Sequence, residues 1–136
     1  MIFDWISIKL MIIIFTGNGK GKTTAALGQA VRALGQDKKV LIIQFIKGPW
    51  VSGEHKFFSK LKLNKKNFKL IRAGKGFVKI LGDKTPFLEH KKAAQNALEL
   101  AKKEIGGQKW DLIILDEINV AVNLKLIKAN DVLKII

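Results

Sequence analysis

Short apolar runs alternate along the chain with segments whose apolar positions recur at helical spacing. Met11 to Phe15 is one such run and predicts a strand; after it Leu27, Ala30, Val31 and Leu34 fall on one helical face, closed by Gly35. Lys39 to Phe45 is a continuous apolar run of the kind buried on both faces of a parallel sheet, and a loop carrying Gly48-Pro49 and Gly53 follows it from Lys47 to Glu54. Phe68 to Arg72 predicts a short strand broken by Gly74-Lys75-Gly76. Thr85-Pro86 then opens a helix whose face is Phe87, Ala94, Ala97, Leu98, Ala101 and Ile105, stopped by Gly106-Gly107. Asp111 to Leu115 is the most apolar strand, and Ala129-Asn130-Asp131 caps a last helix over Val132 to Ile136. This alternation predicts an α/β fold: a mostly parallel sheet covered by helices, with ligands at the carboxyl ends of the strands.

The segment between the first strand and the first helix reads Thr16-Gly17-Asn18-Gly19-Lys20-Gly21-Lys22-Thr23-Thr24. Glycines at 17, 19 and 21 let successive backbone N–H groups turn inward around polyphosphate oxygens. Lys22 adds a full positive charge, the Thr23 hydroxyl suits a Mg²⁺ ion bridging phosphates, and the helix that starts here presents unpaired N–H groups to the same anion. The pattern is G-x-x-x-x-G-K-[ST] with Thr16 in the place of its first glycine. A flexible lysine-rich turn is the plain alternative, but the strand before and the helix after supply the context that the motif requires.

Leu112 to Leu115 ends in Asp116-Glu117, an apolar strand carrying two carboxylates to its carboxyl end, where either can serve Mg²⁺. A strand ending in an acid is common by itself; its meaning comes from the glycine-rich loop. A hydrolase would use Glu117 to orient water, whereas a transferase would use it as a metal ligand, and the residues alone leave both open. His55 and His90 read as surface or helix residues rather than as part of a metal or catalytic set.

The chain of 136 residues suits one domain, and no apolar run approaches the roughly 18 to 20 residues that span a bilayer. Met1 to Leu10 contains Asp4 and lacks a basic leader and a small-residue cleavage site, so it reads as an extension or a mispredicted start ahead of Met11, and a cytoplasmic location is the default. Without cysteine there are no disulfides or thiolate sites. The net charge is +14, and 23 of the 25 basic residues are lysine. Ten of the basic residues lie between His55 and Lys84, interleaved with Phe57, Phe58, Phe68 and Phe77, a pattern that a single-stranded nucleic acid platform shares. A solvated lysine-rich surface accounts for the same pattern, and with only Arg32 and Arg72 present no nucleic acid partner is expected.

Five ordered blocks carry a closer likeness: Ile14 to Ala26, Arg32-Ala33-Leu34-Gly35, Gln44-Phe45-Ile46-Lys47-Gly48, Gly53-Glu54 and Leu115-Asp116-Glu117-Ile118-Asn119. In order and spacing they resemble the P-loop cob(I)alamin adenosyltransferases over nearly the whole chain from Met11 onward. The resemblance implies a RecA-like P-loop fold and transfer of the 5′-deoxyadenosyl group of ATP to the cobalt of a reduced corrinoid, with release of triphosphate. Co(I) would itself be the nucleophile, which explains why no protein nucleophile is legible. Gly17, Asn18, Gly19, Lys20, Gly21, Lys22, Thr23 and Thr24 would then bind the polyphosphate, with Lys22 neutralising charge on the leaving group. Thr23 and Glu117 would serve Mg²⁺, and Asp116 would support the metal shell. Phe77 matches an aromatic that packs on the corrinoid in relatives, where it helps displace the lower axial ligand.

The same likeness implies ATP and corrinoid as substrates, an electron-donor protein for cobalt reduction and a homodimer in the full-length form. A P-loop ATPase and a non-catalytic nucleotide or nucleic acid binding module are the competing readings. Two departures stand out. Relatives commonly follow the phenylalanine with a threonine and a tryptophan, whereas Phe77 leads here to Val78-Lys79; and residues 11–136 read as a P-loop nucleotide-binding domain lacking the family's C-terminal part.

Overall fold

Val40–Gln44, the middle strand of the sheet, has no exposed residue, because it is covered on both faces and both edges. In the computed structural model, which describes residues 11–136, the elements in order are α1 (Lys22–Leu34), β1 (Val40–Gln44), α2 (Gly53–Lys60), β2 (Phe68–Arg72), α3 (Phe87–Gly106), β3 (Leu112–Asp116), α4 (Ile118–Asn123) and α5 (Ala129–Leu133). The proposed extension at residues 1–10 lies outside the described residues. The sheet has three strands in the order β2-β1-β3, all parallel, with Gln44 opposite both Arg72 and Asp116.

The period-two alternation of strand side chains sorts the core into two layers. Leu41, Ile43 and Phe45 point to one face and pack with Ala94, Ala97, Leu98 and Ala101 of α3, Ala121 of α4, and Leu126 and Ile127. Val40 and Ile42 point to the other, where they meet Ala30 of α1, Phe58 of α2, Phe68 and Ile114. The chain leaves β1 for one edge through α2 and returns across to the other edge through α3 on the opposite face, as a constant crossover hand requires. The small alanine face of α3 brings its backbone close to the sheet.

The expected α/β alternation, a parallel sheet flanked by helices, is present, with corrections. Met11 to Phe15 is not a strand: it joins no ladder, and Met11 to Ile14 are more than half exposed. Strand propensity yields a strand only against a partner, and this segment pairs with neither outer edge of the sheet, that of β2 or that of β3. The last helix begins at Ala129 and ends at Leu133, earlier than Val132 to Ile136. On α1, Val31 is half exposed while Ala30 is fully buried, so the helix turns its smallest residues to the sheet. Pro86 is the residue just before α3, where its missing N–H breaks no helical hydrogen bond. Two short helices, α2 and α4, carry too little apolar periodicity to stand out in the sequence.

Candidate functional site

Gly17 and Gly21 bend the loop that leads into α1, with φ of 131° and 106°, values that L side chains rarely adopt. Gly21 is the residue that caps α1, so no side chain fills its N-terminal N–H groups, and its first turn contains no acid. Lys22 reaches back into the bend and donates from Nζ to the carbonyls of Gly17 at 2.6 Å and Gly19 at 2.5 Å. Asn18, Lys20 and Thr24 are exposed around it. Free helix N–H groups and two lysines that form no ion pair among the described residues make the electrostatic setting of an anion site.

The helix also carries Thr23 to the sheet. Its Oγ1 donates to Asp116 Oδ1 at 2.9 Å, joining the glycine-rich loop to the carboxyl end of β3. Asp116 and Gln44 sit side by side on the α1 face of the sheet, and Gln44 Nε2 donates to Asp116 Oδ2 at 3.0 Å and to Glu54 Oε1 at 3.2 Å. Lys47 pairs with Glu54 at the far end of this chain of contacts. Burial acts to raise the Glu54 carboxyl, but the Lys47 ammonium, backbone N–H, Ser52 and Gln44 outweigh it and hold it at about 2.

Glu117 follows directly, in the left-handed region with φ of 61°, at the point where β3 turns into α4. An observed backbone outlier of this kind aims a side chain that an ordinary turn would not. Burial, and after it the adjacent negative charge of Asp116, push its carboxyl above the ordinary value. Its Oε2 is buried without a hydrogen-bond partner, as is Oε1 of Gln44. A hydroxyl, a buried carboxylate and an acceptor lacking a donor form a hard-oxygen set of the sort Mg²⁺ prefers, although among the described residues no three carboxylate or histidine groups converge as a ready-made cage.

Thr23, Lys22, Asp116 and the glycine-rich loop are thus assembled at one place, with Glu117 beside them. Phe77 stands apart from these contacts, at the carboxyl end of β2, half exposed and beside Trp50. Sequence reading gave no role to Gln44, Trp50 or Arg72; a glutamine closing an apolar strand was the available signal for the first. Asp83, to which no sequence pattern assigns a role, accepts hydrogen bonds from the N–H groups of Lys79 and Thr85 and lies 2.9 Å from His90 Nε2. His90 is a helix residue but is buried rather than on the surface. Of the phenylalanines interleaved with lysine, Phe58 and Phe68 stack on each other at 4.5 Å inside the core, which removes half of an aromatic platform for nucleic acid.

The family described as ATP:corrinoid adenosyltransferase BtuR/CobO/CobP matches residues 9–136. A corrinoid adenosyltransferase of Escherichia coli K12 is 38% identical over 112 residues, covering 82% of this chain and 53% of the relative. One of Pseudomonas aeruginosa PAO1 is 34% identical over 114 residues, covering 82% of this chain and 52% of the relative. The corrinoid adenosyltransferase CobA of Salmonella typhimurium LT2 is 66% identical over a shorter stretch of 44 residues, 32% of this chain and 22% of the relative. The chain spans about half the length of the curated relatives that it matches over most of its own length. Among the described residues no helix is long and apolar enough to cross a membrane.

Proposed function

The chain belongs to the ATP:corrinoid adenosyltransferase family, and on that premise we propose that the whole protein transfers the 5′-deoxyadenosyl group of ATP to the cobalt of a reduced corrinoid. The Co(I) electron pair forms the bond to C5′ as the C5′–O bond breaks, and the electrons of that bond leave with triphosphate. The observation that carries the reading is the contact between Thr23 and Asp116, which ties a lysine-bearing, glycine-bent loop to the carboxyl end of the neighbouring strand. Such a reaction asks the protein for orientation and for charge on the leaving group, and not for a nucleophile of its own.

In this reading residues 17–24 wrap the polyphosphate through backbone N–H groups and Lys22 neutralises charge as triphosphate departs. Mg²⁺, which stabilises anionic phosphate oxygens when bound, would be held by Thr23 and Glu117, with Asp116 fixing the threonine from behind; the unpartnered Glu117 Oε2 supports that assignment. Phe77 would pack on the corrinoid. The same reading brings a RecA-like P-loop fold, a homodimer, an electron-donor protein for cobalt and a cytoplasmic location.

The test is product analysis with the full-length protein, ATP·Mg²⁺ and chemically reduced cobalamin. Adenosylcobalamin and intact triphosphate in equal amounts are expected. ADP and phosphate as the sole products would instead establish an ATPase in which Glu117 orients water.

A further inference from the structure

Trp50 and Phe77 are both exposed, at 67% and 47%, and their rings lie 6.2 Å apart with a 33° tilt. They come from different loops, one after β1 and one after β2, so the sheet brings them together from 27 residues apart in sequence. Side by side they form an exposed aromatic patch, and the loops that carry them are pinned to each other. Arg72, at the end of β2, directs Nη1 at the carbonyls of Pro49 at 2.9 Å, Trp50 at 3.3 Å and Gly48 at 3.4 Å. The N–H of Gly76 donates to Ile46 at 2.9 Å, closing one loop on the other. The backbones meet so tightly that a Cβ on Gly48 would come within 2.4 Å of Gly76 N, and one on Gly76 within 2.7 Å of the Trp50 ring. The indole therefore rests on the backbone of Gly76, immediately before Phe77.

This is an expenditure of a guanidinium and two close glycine contacts on fixing a solvent-facing ring. Arg72 forms no ion pair among the described residues; its hydrogen bonds go to loop carbonyls. A rigid aromatic pair loses little conformational freedom on binding and offers a flat apolar surface to a large conjugated ring. Its position is also right for a second substrate. It lies at the carboxyl end of β1 and β2, next to the strand whose Gln44 touches Asp116, hence at the same end of the sheet as the phosphate loop.

We infer that Trp50 is a corrinoid-contacting residue, forming with Phe77 the aromatic surface on which the macrocycle lies and supplying from the β1–α2 loop a second ring that the segment after Phe77 does not. The inference rests on the functional reading above. Arg72 is then a positioning residue for Trp50, acting through the carbonyls of residues 48 to 50.

Trp50→Ala, Trp50→Leu and Trp50→Phe in the full-length protein test it through the KM for reduced cobalamin, the Kd for cob(II)alamin with ATP present, and the Kd for ATP alone. Trp50→Ala and Trp50→Leu are expected to raise the two corrinoid constants about tenfold, the loss of one aromatic contact, with the ATP constant unchanged, while Trp50→Phe stays within about threefold of wild type. Unchanged corrinoid constants in Trp50→Ala, with transfer intact, would overturn the role of Trp50 and leave the functional reading standing. An equal rise in the ATP constant would overturn it too, by showing a merely structural effect; should the smaller variants fail to fold, corrinoid constants in Trp50→Phe more than about threefold above wild type would overturn it as well. A wild-type protein that makes no adenosylcobalamin overturns the functional reading and this inference together.

Discussion

Gln44 faces Asp116 directly across the β1–β3 ladder and donates to its carboxylate at 3.0 Å, although both lie at the edge of an otherwise apolar layer. The glutamine is fully buried and its second bond goes to Glu54, so one amide group ties the end of β3 to the start of α2. Thr23 completes the line on the other side of Asp116. A buried carboxylate stays oriented only while its partners hold it, and here they come from α1 and β1.

Gln44→Leu keeps the volume and removes the donor, leaving Asp116 Oδ2 and Glu54 Oε1 each short of a hydrogen bond. The variant is expected to lose about 1 to 3 kcal/mol of stability, read as a lower urea midpoint at unchanged slope. Gln44→Glu sets a third carboxylate between two others and is expected to lose more. A midpoint for Gln44→Leu equal to that of wild type would show that this amide holds nothing in place.

Lys22→Ala removes the ammonium that curls into the loop without touching the core. A charge-assisted hydrogen bond is worth about 1.5 to 3 kcal/mol, so the expected loss in ATP affinity is roughly ten- to a hundredfold by calorimetric titration, with adenosyl transfer abolished. Lys22→Arg is not expected to rescue it, because a planar fork replaces a compact point charge in a tight turn. Thermal stability of both variants should stay within about 0.5 kcal/mol of wild type, since the Lys22 contacts are confined to an exposed loop. ATP binding at wild-type strength in Lys22→Ala would remove the loop from the site.

Much of this arrangement is legible in the sequence, and the rest is not for identifiable reasons. Lys39 to Phe45 reads as a doubly covered strand because every position after Lys39 is apolar except Gln44, and the pairing of a glycine-rich loop with a strand ending in two acids puts Thr23 near Asp116. Met11 to Phe15 has the composition of a strand but no ladder partner, and pairing is a property of the fold and not of the segment. Trp50 could not be read at all: its neighbour Phe77 is brought to it by the register of β1 against β2, and its anchor Arg72 spends its charge on carbonyls, which leave no trace in a sequence. His90 reads as a surface or helix residue, and its burial on α3 depends on Asp83, seven residues earlier and outside the helix.

Acid should unfold the protein through a small set of carboxyls. Glu54 is lowered from 4.5 to about 2 by Lys47 and its other donors, against the opposing effect of burial, and Asp83 from 3.8 to about 2, chiefly by the N–H groups of Lys79 and Thr85. Both are depressed, so between the ordinary and the folded values the unfolded chain holds protons that the folded chain does not. Their stabilisation is complete above the ordinary carboxylate range and is lost as pH falls through about 4.5 towards about 2. The urea midpoint should therefore fall steadily from about pH 5 downward, and the double variant Glu54→Gln, Asp83→Asn should show a flatter acid limb. An acid limb of the same steepness in the double variant would place the titrating groups elsewhere.

Glu117 presents the opposite case, a residue whose placement costs stability. Burial and the neighbouring Asp116 raise its carboxyl, its Oε2 has no partner, and its backbone is held in the left-handed region. A group like this is better tolerated neutral than charged, so Glu117→Gln is expected to raise stability by about 1 kcal/mol in the absence of nucleotide, seen as a higher thermal midpoint at neutral pH. The same change removes the charge proposed to hold Mg²⁺, so adenosyl transfer should fall at least about a hundredfold, and ATP should lose its metal-dependent increment of binding while keeping the part supplied by the loop. Glu117→Asp separates the two effects: it keeps the charge, gains none of the stability and shortens the reach, so it should be slow without being stabilised. A glutamine variant that is less stable than wild type yet fully active would contradict both halves, because the carboxylate would then be a structural residue with a partner that the fold supplies.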